Sequence, residues 1–205
     1  NIDAVLLSQL TWLVFIVVWG GIRFRPNIKS RKMSISVTSR TLSERFSMIV
    51  SSFGLGYIPG YWVISNMFPK LGLPPILNQF NYEPNIVITV IGIICLFFSL
   101  RMFRLTHKAL GKMWSHSLDL REGHKLVTSG VYENVRHPMY TAFWLWAIGA
   151  AFLLPNWVAG FSGIIGFGTL FFLRVGQEEA LMRSEFGEEY DAYVARTKRV
   201  IPKIY

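Results

Sequence analysis

Five apolar runs, each near the length a bilayer demands, constrain this chain more than any other feature. A helix needs about 20 mostly apolar residues to cross the hydrocarbon core. Residues 4–22 provide the first run, with no charge inside it. It lacks the basic flank of a signal peptide and reads as a retained anchor. Residues 46–68 provide the second, interrupted by Gly54, Gly56, Pro59 and Gly60. Such breakers are tolerated in lipid where neighbouring helices satisfy the freed backbone groups. Residues 86–100 are the third run and the most uniformly apolar. Residues 140–154 and 157–173 are split only by Pro155-Asn156, which predicts an antiparallel helical hairpin. Its first arm is short, so it is expected to tilt or to stop before the far interface. Only 16% of the residues are charged, against about 25% in a soluble domain. The predicted fold is therefore all-α: a polytopic membrane protein with about five transmembrane helices.

The net charge of +9 raises the question of nucleic acid, and the positions of the charges answer it. Residues 23–45 hold seven Lys or Arg, residues 101–136 hold seven and residues 174–203 hold six. The remaining loop, residues 69–85, has only Lys70. Twenty of the 21 basic residues thus fall on one side of a five-span arrangement. The positive-inside rule makes that side cytoplasmic, with the N-terminus outside and the C-terminus inside. The surplus is an orientation signal that also attracts anionic membrane lipids, and no nucleic-acid partner is expected. The expected location is a plasma or inner membrane in a prokaryote, or the endoplasmic reticulum in a eukaryote, with any active site facing the cytoplasm. The single cysteine, Cys95, excludes a disulfide framework.

Past Arg174 the last run is predicted to continue as an amphipathic helix. Met182, Phe186, Tyr190 and Tyr193 recur at helical spacing, and Gly187 is placed to break it. The hairpin aromatics Phe143, Trp144, Trp146, Phe152 and Trp157 read as lipid contacts and interface anchors. Gly160, Gly163, Gly166 and Gly168 read as sites of close helix packing.

Several chemistries find no residues here. The four histidines have no cysteine or carboxylate at zinc-ligand spacing, so no metal is expected. No Gly-rich phosphate loop or nucleophile elbow is present. What remains is the stretch from Gly111 to Tyr140 and the cluster Arg174-Val-Gly-Gln-Glu-Glu179. Proline disfavours helix at the residue before it and suits the first helical turn. Arg136 and His137 are therefore expected in a polar loop, with Met139 and Tyr140 opening a membrane helix. Arg174 and Glu178 are four residues apart and can share a helix face. Taken alone, that spacing also fits an ion pair that merely ends the span. Ionisable clusters at the ends of apolar helices are more often functional.

Together the motifs resemble the integral-membrane methyltransferases that include isoprenylcysteine carboxyl methyltransferase. The pieces are Gly111-Lys-Met-Trp-Ser-His116, His124-Lys-Leu-Val-Thr-Ser-Gly-Val-Tyr132, Arg136-His-Pro-Met-Tyr140, Phe171-Phe-Leu-Arg-Val-Gly-Gln-Glu-Glu-Ala-Leu181 and Phe186-Gly-Glu-Glu-Tyr-Asp-Ala-Tyr193. One departure is Ala142, where the family often has glycine. The resemblance divides the chain into a three-span region, residues 1–100, and a methyltransferase-like region, residues 101–205. It implies S-adenosylmethionine as methyl donor, bound by His124, Leu126, Val127, Tyr132, Arg136, His137, Tyr140, Glu178 and Glu179. Glu178 or Glu179 would hold the positive end, and Arg136, His137 or Tyr140 the carboxylate. Arg174 and Glu178 are the expected catalytic pair, Arg174 orienting an anionic acceptor. The acceptor would be a lipid or lipidated molecule, with prenylcysteine carboxylate the nearest and a phospholipid amine next. Membrane reductases that use NADPH share a similar C-terminal architecture and remain an alternative, as does a non-catalytic scaffold.

Overall fold

The structure, a computed structural model, describes residues 3–31, 35–38, 41–111, 119–121 and 125–205. Helix α1 runs Ala4–Arg31, continuing beyond the charge-free run. Asp3 caps it, its carboxylate accepting from the backbone N–H of Val5 and Leu6. Helices α2 (Leu42–Ser52) and α3 (Ile58–Met67) join through a π-helical turn, Phe53–Tyr57. Helix α4 is Ile86–Leu110, α5 Pro138–Leu153, α6 Trp157–Phe186 and α7 Glu188–Arg196. Among the described residues, four stretches are long and apolar enough to cross a membrane: Ala4–Phe24, Leu42–Met67, Ile86–Leu110 and Trp157–Phe186. The fifth apolar helix, α5, has 16 residues, about 24 Å at 1.5 Å per residue. That is short of a core roughly 30 Å thick, as its sequence suggests. One antiparallel pair, β1 (Ile35–Thr38) with β2 (Asp119–Arg121), interrupts the helical pattern among the described residues. It ties the α1–α2 connection to the α4–α5 connection, and strands this short leave no periodic signal to read.

The breakers of the second span have a definite solution. In the π turn the N–H of Ile58 bonds to the carbonyl of Phe53. In that register the carbonyl of Gly54 needs the N–H of residue 59, which is a proline and has none. The Ser162 hydroxyl of α6 donates to it instead, at 2.8 Å. The two helices touch here through glycines. A Cβ on Gly54 would lie 2.3 Å from the Ser162 carbonyl oxygen, and one on Gly166 2.8 Å from that of Val50.

The α5–α6 hairpin turns at Asn156, whose side chain accepts from the N–H of Val158 and Ala159 and donates to Leu77 and Asn81. Helix α4 packs along α5, where the Ser99 hydroxyl donates to the carbonyl of Ala142 at 2.8 Å. The alanine that departs from the family pattern thus lies in a helix–helix seam. Of the hairpin aromatics expected in lipid, Trp146 is buried against Phe15 and Trp19 of α1, while Phe143 and Trp144 are half-buried, Phe143 stacking on Trp146 and both packing on Phe167. Helix α5 is apolar on every side, so its sequence cannot say which face meets lipid. Phe152 and Trp157 do face outward. Gly187, with φ 51°, separates α6 from α7, a backbone shape that suits glycine.

Candidate active site

Helix α5 starts at Pro138, with Arg136 and His137 in the loop before it. That loop is not solvated, as its polarity suggests, but covered by the end of the chain. The N–H of Arg136 donates to the Lys198 carbonyl at 2.7 Å, and that of His137 to the Arg199 carbonyl at 2.9 Å. The Thr141 hydroxyl donates to the Val200 carbonyl at 2.7 Å. Residues 197–200 thus form a strap across the loop.

Under the strap lies Glu179. Its Oε1 accepts from Arg136 Nη2 at 3.0 Å, from Arg199 Nε at 3.1 Å and from His137 Nε2 at 3.2 Å. Its Oε2 accepts from Arg199 Nη2 at 2.9 Å. The His137 proton toward this acceptor therefore belongs on Nε2, which leaves Nδ1 facing Glu178 Oε1 at 3.8 Å. The neighbouring carboxylate looks the other way. Glu178 accepts from the Tyr140 hydroxyl at 2.5 Å, and its Oε2 lies 3.8 Å from Arg174 Nε. Arg174 also approaches Glu44 of α2, Nη1 to Oε1, at 3.6 Å. Its side chain is only 11% exposed, so it is not the open interfacial pair that its spacing also allows.

These groups border one cavity of about 980 Å³. Leu126, Val127, Tyr132, Arg136, His137, Tyr140, Arg174 and Glu178 all line it. Glu179 does not; it stands behind the wall. His124, with His116, lies outside the described residues. Two lining residues, Tyr190 and Tyr193, read from sequence only as an amphipathic stripe. Tyr193 donates to the carbonyl of Tyr132 at 2.7 Å and so shapes the loop. Tyr190 is 2% exposed, and among the described residues its hydroxyl has no hydrogen-bond partner. Burial raises the Tyr132, Tyr190 and Tyr193 hydroxyls, helped at Tyr132 and Tyr190 by nearby carboxylates, with Tyr190 at about 12. All three stay neutral donors near neutral pH. Away from this polar end the cavity continues between α1 and α2–α3, along Trp12, Ile16, Leu55 and Ile64.

Sequence reasoning also missed Arg199 and Glu44. Arg199 looked like one more orientation charge. Glu44 closes Thr41-Leu-Ser-Glu44, which reads as an ordinary helix-capping pattern.

Apolar helices that enclose a charged, tyrosine-lined cavity define an integral membrane protein. The chain belongs to the isoprenylcysteine carboxyl methyltransferase family, whose family model matches residues 81–184. It is 34% identical over 118 residues to the protein-S-isoprenylcysteine O-methyltransferase of Schizosaccharomyces pombe, covering 57% of this chain and 49% of that one. The human protein of the same name is 31% identical over 119 residues, 57% of this chain and 42% of the relative. A probable protein-S-isoprenylcysteine O-methyltransferase of Oryza sativa subsp. japonica is 28% identical over 175 residues, 84% of each. The chain thus spans about half the length of several curated relatives it matches. The solved eukaryotic intramembrane Ras methyltransferase shares the fold, with a TM-score of 0.56 at 21% identity, over 98% of this chain and 73% of that one. Membership in this family implies a methyl donor.

Proposed function

We propose that the chain is an S-adenosylmethionine-dependent methyltransferase acting on the carboxylate of a lipidated acceptor, prenylcysteine being the nearest. The observation that carries this reading is one cavity with Arg174 and Glu178 at one end and a largely apolar wall along the rest. The donor set fits the cofactor. S-adenosylmethionine supplies a methyl group on a positively charged sulfur. Glu178, held by Tyr140, offers a carboxylate to a cation, and tyrosine rings line the same space. Among the lining residues, Tyr190 has a hydroxyl without a partner among the described residues, and His137 has an Nδ1 with capacity left to bond. Arg136 has committed its Nε and Nη2 to Glu179 and its Nη1 to the Thr197 carbonyl. Its part, like that of Glu179, is to hold the loop.

Arg174 is the group that orients the acceptor carboxylate, through a planar fork that matches two oxygens. A carboxylate is already a nucleophile, so no base is required. The chain's contribution is alignment and exclusion of water. The apolar arm of the cavity receives the lipid from between the helices, and the water-soluble cofactor enters from the cytoplasmic side.

Calorimetry of the detergent-solubilised protein with S-adenosylhomocysteine and with NADPH tests the cofactor. Binding of the first and not the second is expected; the reverse would establish the reductase alternative. Radiolabelled methyl transfer to an S-farnesylcysteine carboxylate, with a phosphatidylethanolamine vesicle in parallel, tests the acceptor. Labelling only the phospholipid would overturn the carboxylate reading.

A further inference from the structure

Glu44 belongs to a part of the chain that the family model does not cover. It sits in the first turn of α2, where its N–H donates to the Thr41 hydroxyl that caps the helix. In a capping box the glutamate side chain returns to the backbone N–H of the cap. Such a side chain stays at the helix end, usually in water. Here it is 2% exposed, and its Oε1 lies 3.6 Å from Arg174 Nη1. Carboxylates are almost never this deeply buried unless paired.

Arg174 therefore lies between two acids on two helices. Glu178, one turn along α6, approaches its Nε edge, and Glu44 approaches Nη1 from α2. The two acids are not equivalent. Glu178 is 34% exposed, lines the cavity and also accepts from Tyr140. A ligand arriving in the cavity can draw on it. Glu44 does not line the cavity, so it is placed to act on the arginine and not on a ligand there. Its helix is fixed against α6 by the Gly54–Gly166 contact and the Ser162 hydrogen bond. The distance between Glu44 and the arginine is thereby set by backbone packing.

We propose that Glu44 is a positioning residue for Arg174: it holds the guanidinium in the orientation in which it meets the acceptor carboxylate. This rests on the reading of Arg174 given above. The N-terminal spans then supply part of the chemistry, besides anchoring the chain and walling the cavity.

A double-mutant cycle tests it, with turnover, acceptor KM, S-adenosylhomocysteine affinity and thermal midpoint measured for Glu44→Gln, Arg174→Lys and the double variant. Arg174→Lys should lose at least about tenfold in turnover, because an ammonium does not reproduce the planar fork. Glu44→Gln should lose about fivefold or more, within the coupling range of contacting residues. Cofactor affinity should stay within about twofold. In the Arg174→Lys background, Glu44→Gln should cost nothing further, since the group it positions is gone. Equal losses in both backgrounds would make Glu44 merely structural and overturn the proposal. Full turnover in Glu44→Gln beside an impaired Arg174→Lys would overturn the proposal and leave the role of Arg174 intact. A fully active Arg174→Lys would remove both. If Glu44→Gln does not fold, Glu44→Asp keeps the charge but withdraws it by one methylene. It should lose about two- to fivefold in turnover at unchanged cofactor affinity, and full activity there would overturn the proposal.

Discussion

Tyr190 is nearly inaccessible, and its hydroxyl has no partner among the described residues although it lines the cavity. Leaving a buried donor unmet costs about 1–3 kcal/mol, which a ligand acceptor would recover. Tyr190→Phe is therefore expected to raise or preserve the thermal midpoint while weakening S-adenosylhomocysteine by roughly two- to twelvefold. A variant with unchanged affinity by calorimetry would take the hydroxyl out of the cofactor site. Glu179 makes the opposite case. Its carboxylate is shared by Arg136, His137 and Arg199, and removing one member of a buried ion cluster typically costs about 3–5 kcal/mol. Glu179→Ala should therefore lower the midpoint by several degrees as well as weaken cofactor binding. A loss of affinity at full stability would mean that Glu179 reaches the ligand itself.

The contact of α2 and the π turn after it with α6 is where backbone meets backbone. Gly54→Ala would force a Cβ to within 2.3 Å of the Ser162 carbonyl, and overpacking of this kind costs about 1–3 kcal/mol. Gly56→Ala, two residues on, meets nothing within 4 Å and should be silent in the same thermal melt. Equal behaviour of the two would mean that the helices are not in contact at Gly54. Some of these elements were legible beforehand for local reasons. Pro138 opens α5 because a missing N–H is harmless in a first turn, and Gly187 ends α6 because its φ is positive. The strap of residues 197–200 was not legible. It holds its place by backbone bonds to residues some sixty positions away, and such pairing leaves no mark on local sequence.

Across the whole molecule, the charge asymmetry predicts that the loop of residues 69–85 and helix α7 lie on opposite sides of the membrane. With Cys95 replaced by serine, Gln79→Cys should react with an impermeant maleimide only from outside, and Glu189→Cys only from the cytoplasm. Both side chains are exposed. Reaction of the two from the same side would invert or delete a span.

The number of apolar helices, the short fourth arm and the two polar clusters at helix ends were all determined by the sequence alone. Each depends on hydrophobic length or on a local breaker, and those quantities are written along the chain. Tertiary structure decided which of two adjacent carboxylates faces the cavity. Glu178 and Glu179 are identical in type and differ by about 100° around one helix, so only the packing around α6 separates them. It also decided that a buried glutamate from α2 meets Arg174 across 130 residues of chain. A lone carboxylate in a helix's first turn reads as a cap until the cation it faces is known.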